Sequence, residues 1–376
     1  MTAVPELPRI GPPTAVAAVS ASESENLLTC PLRFVLNRDR SLRRFRRYAA
    51  SALVGTAAHA ALASLARAQR SGWDSGSSRT RNVARVTFDE ALVRECRRRD
   101  AAIAERGVLP GDCTEPAPGI PFYAMTRARL ARFSEQRFGD RWSWRTPSLD
   151  APRAPASCDV HCASETGPEL PLESLDGKVR GTVDHVARSP VKVIVEEFKT
   201  GEATSERLAS WKHQLLIYAW LYRERHGVLP AILRVHSLPS GLFEFVCTEE
   251  EARQAIDLSE RALDEVNARI AAGASAEALA RPFGTACRHC PHRAWCEAYW
   301  AAAAQMSSAA DVDGWVVRAS MWEAELRTGG GLICADLKAL RIAPQTGMRL
   351  RICDARVGLA GKLICERATS VWRVQR

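Results

Sequence analysis

Three charged residues, Asp184, Glu197 and Lys199, stand in a stretch from Gly181 to Gly201 (GTVDHVARSPVKVIVEEFKTG) that is otherwise dominated by β-branched and apolar side chains. Val183 to Ala187 and Val191 to Lys199 read as strands, with Arg188-Ser189-Pro190 as the hairpin turn between them. Period-two alternation places Val193, Val195, Glu197 and Lys199 on one face of the second strand, and Ile194, Glu196 and Phe198 on the other. Asp184 precedes Glu197 by thirteen residues, a span over which an antiparallel return sets the two carboxylates side by side. Two ionised carboxylates at close range repel each other, and the partner that suits hard oxygen ligands is Mg²⁺ or Mn²⁺. An ammonium at Lys199 would position a water or stabilise the charge that builds on a phosphate under attack. The combination points to metal-assisted phosphodiester hydrolysis, although Glu-x-Lys on a strand is by itself a common pattern.

Other elements can be placed around this hairpin. Gln214 and Tyr218, four apart, share one face of the helix implied by the pattern from Trp211 to Tyr222. Leu53 to Leu65 reads as an Ala-rich helix with Gly55 and His59 on one face. Near the far end of the core, Cys287, Cys290 and Cys296 have the spacing C-x2-C-x5-C, a compact thiolate set one ligand short of four. Zinc suits the same thiolates, as does a set in which His289 or His292 replaces one of them.

Asp184 followed by Glu197-Phe198-Lys199 resembles the motif of the PD-(D/E)xK nuclease superfamily, and Gln214-Leu-Leu-Ile-Tyr218 is similar to the QxxxY motif of its RecB-like branch. The motifs are scattered from Asn26 to Trp300, and their order along the chain gives the resemblance its specificity. It implies an α/β fold with a restriction-endonuclease-like mixed sheet flanked by helices. It also implies that Asp184, Glu197 and the Phe198 carbonyl hold the metal, that Lys199 is catalytic, and that Gln214 and Tyr218 hold the substrate strand or brace the site. His59, matching the branch's small-residue helix with its Gly and His, would be a further ligand as a neutral imidazole. In the iron-sulfur group of the branch, which includes the AddB helicase-nuclease subunit and the CRISPR-associated adaptation nuclease, one cysteine precedes the nuclease core and three follow it. Cys30, in Thr29-Cys-Pro-Leu-Arg-Phe34, fits the upstream position, so the resemblance implies a [4Fe-4S] cluster on Cys30, Cys287, Cys290 and Cys296, with Cys96 as a reserve ligand. Such a cluster would act as a clasp, closing a loop of more than two hundred residues and adding its binding free energy to folding.

With 376 residues the chain can bury a large core and more than one domain, and its net charge of +9 favours a polyanionic partner. It shows no transmembrane run and no secretory signal, so a cytoplasmic protein is expected and its twelve cysteines are not expected to be disulfides. Residues 1–21 read as a flexible tail, 22–300 as the nuclease domain, 301–310 as a connector and 311–376 as a small all-β domain. Seven arginines between Arg33 and Arg47, interleaved with Phe34, Phe45 and then Tyr48, could track a nucleic-acid backbone or form a solvated face. Ser71 to Arg81 reads as a loop, and two Arg-bearing helices follow up to Phe138. Pro147 to Pro171 is Pro-rich and loop-like, with Cys158, His161 and Cys162 lacking a second pair at zinc spacing; Glu165, Glu169 and Glu173 precede the hairpin, and one of them could approach the metal. Cys96, Cys113, Cys247, Cys334, Cys353 and Cys365 read as small buried side chains.

The last part turns to short strands, and its Gly-Met-Arg-Leu-Arg-Ile run resembles an OB-fold barrel. From Arg327 to Arg376 there are ten Lys and Arg against three Asp and Glu, and with Trp315, Trp322 and Trp372 this suits binding of single strands, the alternative being a stabilising cap with core tryptophans. No Walker A sequence indicates a fused motor. The expectation is a metal-dependent DNA nuclease, an exonuclease preferring single strands or free ends in repair, recombination or defence. The alternative is a catalytically silent iron-sulfur DNA-binding module or redox sensor.

Overall fold

A computed structural model describes residues 4–70, 77–109, 111–138, 168–188, 192–282, 284–303 and 311–374. Strand β1 (Val19–Ser20) leads into helices α1 (Ser24–Thr29), α2 (Pro31–Arg38), α3 (Ala50–Arg70), α4 (Ser77–Arg106) and α5 (Tyr123–Phe138). Then come β2 (Pro168–Glu173), β3 (Val179–Arg188), β4 (Val193–Lys199), α6 (Ser205–His226), β5 (Ile232–Ser237), β6 (Gly241–Val246) and α7 (Glu249–Ala271). Three short helices, α8 (Ala276–Leu279), α9 (Gly284–Arg288) and α10 (Glu297–Ala303), close this part. The core sheet runs β1-β3-β4-β5-β6, with β2 paired to β3.

The sheet is mixed, as expected. β3 and β4 are antiparallel, with His185 opposite Glu196, whereas β4 and β5 are parallel and β5 returns antiparallel as β6. β4 is central, and six of its seven residues are buried, which its β-branched sequence suits. One side of the sheet packs on α6 and α7, the other on α3, α4 and α5. Helix α6 begins where the Thr204 side chain accepts from the Arg207 N–H and ends at Gly227, whose φ of 71° is left-handed.

Several expectations need correction. The first residues are not a loose tail: Val16, Ala18, Val19 and Ala21 are buried and β1 pairs in parallel with β3, because this apolar segment completes the sheet edge. Residues 77–81, expected in a loop, begin α4, and 168–171 form most of β2; Cys158, His161, Cys162 and Glu165 lie outside the described residues. Of the arginines between Arg33 and Arg47 some brace the protein, while Arg40, Arg43 and Arg44 are exposed. Arg38 pairs with Glu23, Arg47 donates to the Ala368 carbonyl, and Phe34 is fully buried while Phe45 packs on Trp295 and Trp372, so neither ring is available to a base. Cys334 is exposed, unlike the other cysteines expected to be buried.

Among the described residues the C-terminal part has seven strands: β7 (Val312–Ala319), β8 (Glu323–Thr328), β9 (Gly331–Asp336), β10 (Arg349–Cys353), β11 (Arg356–Val357), β12 (Leu363–Ile364) and β13 (Ser370–Val374). Their order is β11-β12-β9-β8-β7-β10-β13, and among the described residues the outer strands do not pair with each other, so the sheet is curled rather than closed. It is bolted to the core by residues 293–297. Arg293 is buried with Asp311 at 2.9 Å and Asp354 at 2.7 Å, and Arg351, 1 % exposed, pairs with Glu297 at 2.7 Å and Asp313 at 3.0 Å. Trp295 meets Trp372 edge to face between these pairs. Among the described residues no helix is long and apolar enough to cross a membrane.

Candidate active site

Four elements bring the expected site residues together. The ladder between β3 and β4 ends at His185 and Glu196; beyond it the Phe198 N–H donates to Asp184 Oδ2 at 2.8 Å, so a side chain takes the place of a backbone acceptor. Asp184 is thereby fixed at the end of β4, beside Glu197. Helix α3 supplies His59, whose Nδ1 lies 3.4 Å from Asp184 Oδ2. Gly55, one turn earlier, allows this approach: a Cβ there would stand 3.3 Å from Thr200 Oγ1. Glu197 and Glu196 point to opposite sides of the sheet, as the alternation requires.

On the α6 side, Lys199 Nζ donates to Glu197 Oε1 at 2.8 Å and to Gln214 Oε1 at 2.9 Å. Gln214 Nε2 in turn donates to Glu197 Oε1 at 3.0 Å and to the Tyr218 hydroxyl at 3.0 Å. The Tyr218 ring lies against β3 at Gly181, where a Cβ would come within 2.6 Å of it. Gln214 therefore orients the acid and the ammonium at once, and Gly181 makes room for the tyrosine that braces it. Tyr218 is kept in its neutral form by burial first and the charge of Glu197 second.

The electrostatics set Glu197 apart from an ordinary carboxylate. Burial pushes the Glu197 pKa up, the charge of Asp184 pushes it further, and Lys199 and His59 pull against both; the balance is about 7. Glu197 Oε2 is buried with no hydrogen-bond partner. For His59, burial opposes the charged ring, but the bond to Asp184 and the charges of Asp184 and Glu197 outweigh it and raise its pKa. An unpartnered carboxylate oxygen beside a second carboxylate fits a divalent ion. As the side chains stand, no group of three or more His, Cys, Asp or Glu that could hold a metal is formed among the described residues, neither at the carboxylates nor among the thiols, and Lys199 and Gln214 occupy Glu197 Oε1.

A buried cluster on the other side of β4 was not anticipated. Glu196 accepts from Arg137 Nη2 at 2.7 Å and lies 2.7 Å from His185 Nδ1 and 3.3 Å from His236 Nε2. Burial alone would raise its pKa, yet these histidines and the Arg137 charge hold it well below the usual carboxylate range. The cluster ties α5 to β3, β4 and β5 directly behind Glu197. Only the apolar surroundings of Glu196 in the sequence hinted at it; Arg137 lies 59 residues upstream. Glu169, one of the acids preceding the hairpin, pairs with Arg67 instead.

The four cysteines of the second set line one pocket, together with Arg33 and His292. Cys30 caps the start of α2, Cys287 lies in α9, and Cys296 ends the turn Arg293–Trp295. Burial chiefly raises the pKa of Cys290 to about 11 and of Cys296 to about 12, and the other thiols of the set add to both shifts. His292 is kept neutral, its pKa lowered to about 3 by burial and then by Arg46 and Arg33. Cys96, the reserve ligand, is buried with Phe88 and Leu92 between α3 and α4, and His289 is exposed.

The model of the PD-(D/E)XK nuclease superfamily matches residues 18–297. The chain belongs to this superfamily. The nuclease match spans all of the carboxylate site and the thiol set, and stops before the C-terminal sheet. The chain is similar to the solved structure of SSO0001 at 24% identity with a TM-score of 0.25, over 36% of this chain and 61% of that one, less than two thirds of its length. No curated protein matches.

The raised pKa of Glu197 gives a signed pH effect on the metal-free nuclease. Between the ordinary 4.5 and about 7 the folded state binds more protons at this position than the unfolded state, so the stability contribution of Glu197 falls as pH rises through that window. Urea unfolding in EDTA is expected to show Glu197→Gln gaining on wild type from pH 4.5 to 7, with no further gain above it. A pH-independent difference between the two proteins would contradict the shift.

Proposed function

We propose that this nuclease is a metal-dependent exonuclease of the RecB-like kind acting on single-stranded DNA or free ends. The observation that carries the catalytic part is the partnerless Glu197 Oε2 buried next to Asp184, with Lys199 held on the other carboxylate oxygen. Asp184, Glu197, His59 and the Phe198 carbonyl would hold Mg²⁺ or Mn²⁺. Bound there, the ion would supply Lewis-acid polarisation of the phosphate and a more acidic water. Ligation by His59 would require the neutral ring, and the charge of a cation beside it would favour loss of the ring proton.

Lys199 then orients the attacking water or faces the charge developing on the phosphate, at a distance from Glu197 fixed by Gln214. Tyr218 keeps the Gln214 amide in register through its hydroxyl. The basic C-terminal sheet would deliver the strand. A silent binding module would keep the fold but has no need of an intact Asp184, Glu197 and Lys199 network.

Cys30, Cys287, Cys290 and Cys296 would hold a [4Fe-4S] cluster, supported by their convergence on one pocket from segments 257 residues apart. The cluster would join the region before the core to the region after it and need carry no electrons. Protein purified without oxygen is expected to contain iron and acid-labile sulfide in equal amounts, both lost in Cys30→Ser. Stoichiometric zinc without sulfide would contradict the cluster.

Catalysis is tested by digestion of end-labelled single-stranded and duplex DNA with Mg²⁺ or Mn²⁺. Lys199→Ala is expected to reduce cleavage by about two to three orders of magnitude, the usual cost of one charge-stabilising group, with mononucleotides released from an end by wild type. Wild-type levels of cleavage in the variant would remove Lys199 from the chemistry, and cleavage of closed circles would make the enzyme an endonuclease.

A further inference from the structure

Of the three C-terminal tryptophans, the structure leaves one open. Trp372 is 1 % exposed and packed on Trp295, Trp322 is half-buried, and Trp315 is 42 % exposed. Large aromatic side chains are normally sheltered, so an indole standing out from a sheet calls for a reason. Its neighbours supply one. Directly across from Trp315 are Arg349 on β10 and Arg327 on β8, and opposite Arg327 on β9 is Leu332, 60 % exposed. Directly opposed residues share a face, with Cβ atoms about 5 Å apart, so Arg349, Trp315, Arg327 and Leu332 form one row across four strands.

Carboxylates on the adjoining rows are already paired. Asp313 holds Arg349 through two bonds of 2.8 Å, fixing that guanidinium beside the indole, and Glu325 lies 3.7 Å from Arg318. Arg327 is exposed. The next row on the same face, Asp313, Arg351 and Trp372, is the one buried against residues 293–297 of the core, so the exposed row begins where the sheet leaves the nuclease domain.

We propose that Trp315, between Arg327 and Arg349, is a docking surface for single-stranded DNA, a base stacking on the indole while Arg327 meets a flanking phosphate. The choice of DNA as occupant rests on the nuclease reading; the surface itself rests on the cross-strand register and exposure. An aromatic face accepts any unpaired base, and cations beside it follow the backbone. A duplex, whose bases are already stacked, gains nothing from the indole.

The test is fluorescence anisotropy of a labelled oligothymidylate and of a duplex of the same length, in EDTA so that nothing is cut. Trp315→Ala is expected to weaken single-strand binding roughly tenfold, the scale of one lost stacking contact, with Trp315→Phe recovering most of it and duplex binding unchanged. Arg327→Gln, on a different strand, is expected to reduce the slope of log affinity against log salt by about 0.7, one phosphate contact. Wild-type affinity in Trp315→Ala, or an equal loss on duplex, overturns the proposal, as does a wild type that binds no single strand at low salt. Because binding is read without cleavage, an active Lys199→Ala enzyme would sink the catalytic reading and leave this surface standing, and the reverse result would be equally plain.

Discussion

Two carboxylates that repel each other are brought together at the end of a strand buried on both faces, and most of the core can be understood as the means of holding them there. Removing charge from water is costly unless it is paired and hydrogen-bonded. Asp184 meets that requirement with the Phe198 N–H and His59, and Glu197 meets half of it with Lys199 and Gln214. The second Glu197 oxygen is left without a partner, and the protein tolerates it because β4 is locked between β3 and β5 and backed by the Glu196 cluster. A rigid site with one unsatisfied oxygen is the feature on which the proposed cation site rests.

The segment from Cys287 to Trp300 has two duties. One side presents thiols to the pocket they share with Cys30; the other presents Arg293, Trp295 and Glu297 to the C-terminal sheet. The buried Arg293 and Arg351 pair with Asp311 and Glu297 across the two parts of the chain, so they specify how the parts dock as much as they stabilise the contact. Whatever fixes the thiol segment therefore also fixes the platform for the curled sheet, and with it the direction in which Trp315 faces.

The parts of this structure legible in the sequence were those set by local spacing. Alternation in β4 put Glu197 and Lys199 on one side and Glu196 on the other, and the four-residue interval aligned Gln214 with Tyr218, as the structure shows. Proximity of Cys30 to the three later cysteines came from resemblance rather than spacing. Long-range partnerships were not legible: Arg137 with Glu196, β1 with β3, and the Phe45, Trp295 and Trp372 cluster join residues too far apart for any periodicity to reveal. The same limit left open whether the arginine-rich segment after Cys30 tracks nucleic acid or faces solvent, and whether Trp372 stacks on a base or fills the core, since composition registers charge and aromaticity but not which side chains the fold consumes.

The central claim is that Asp184 and Glu197 together bind a divalent ion, and ligand-linked stability measures it without assuming any substrate. Thermal unfolding of the metal-free protein, titrated with Mn²⁺, is predicted to show a melting temperature that climbs with metal concentration in wild type and stays flat in Asp184→Ala. The same rise in both proteins would mean that the ion binds elsewhere and that the carboxylate pair is not the metal site.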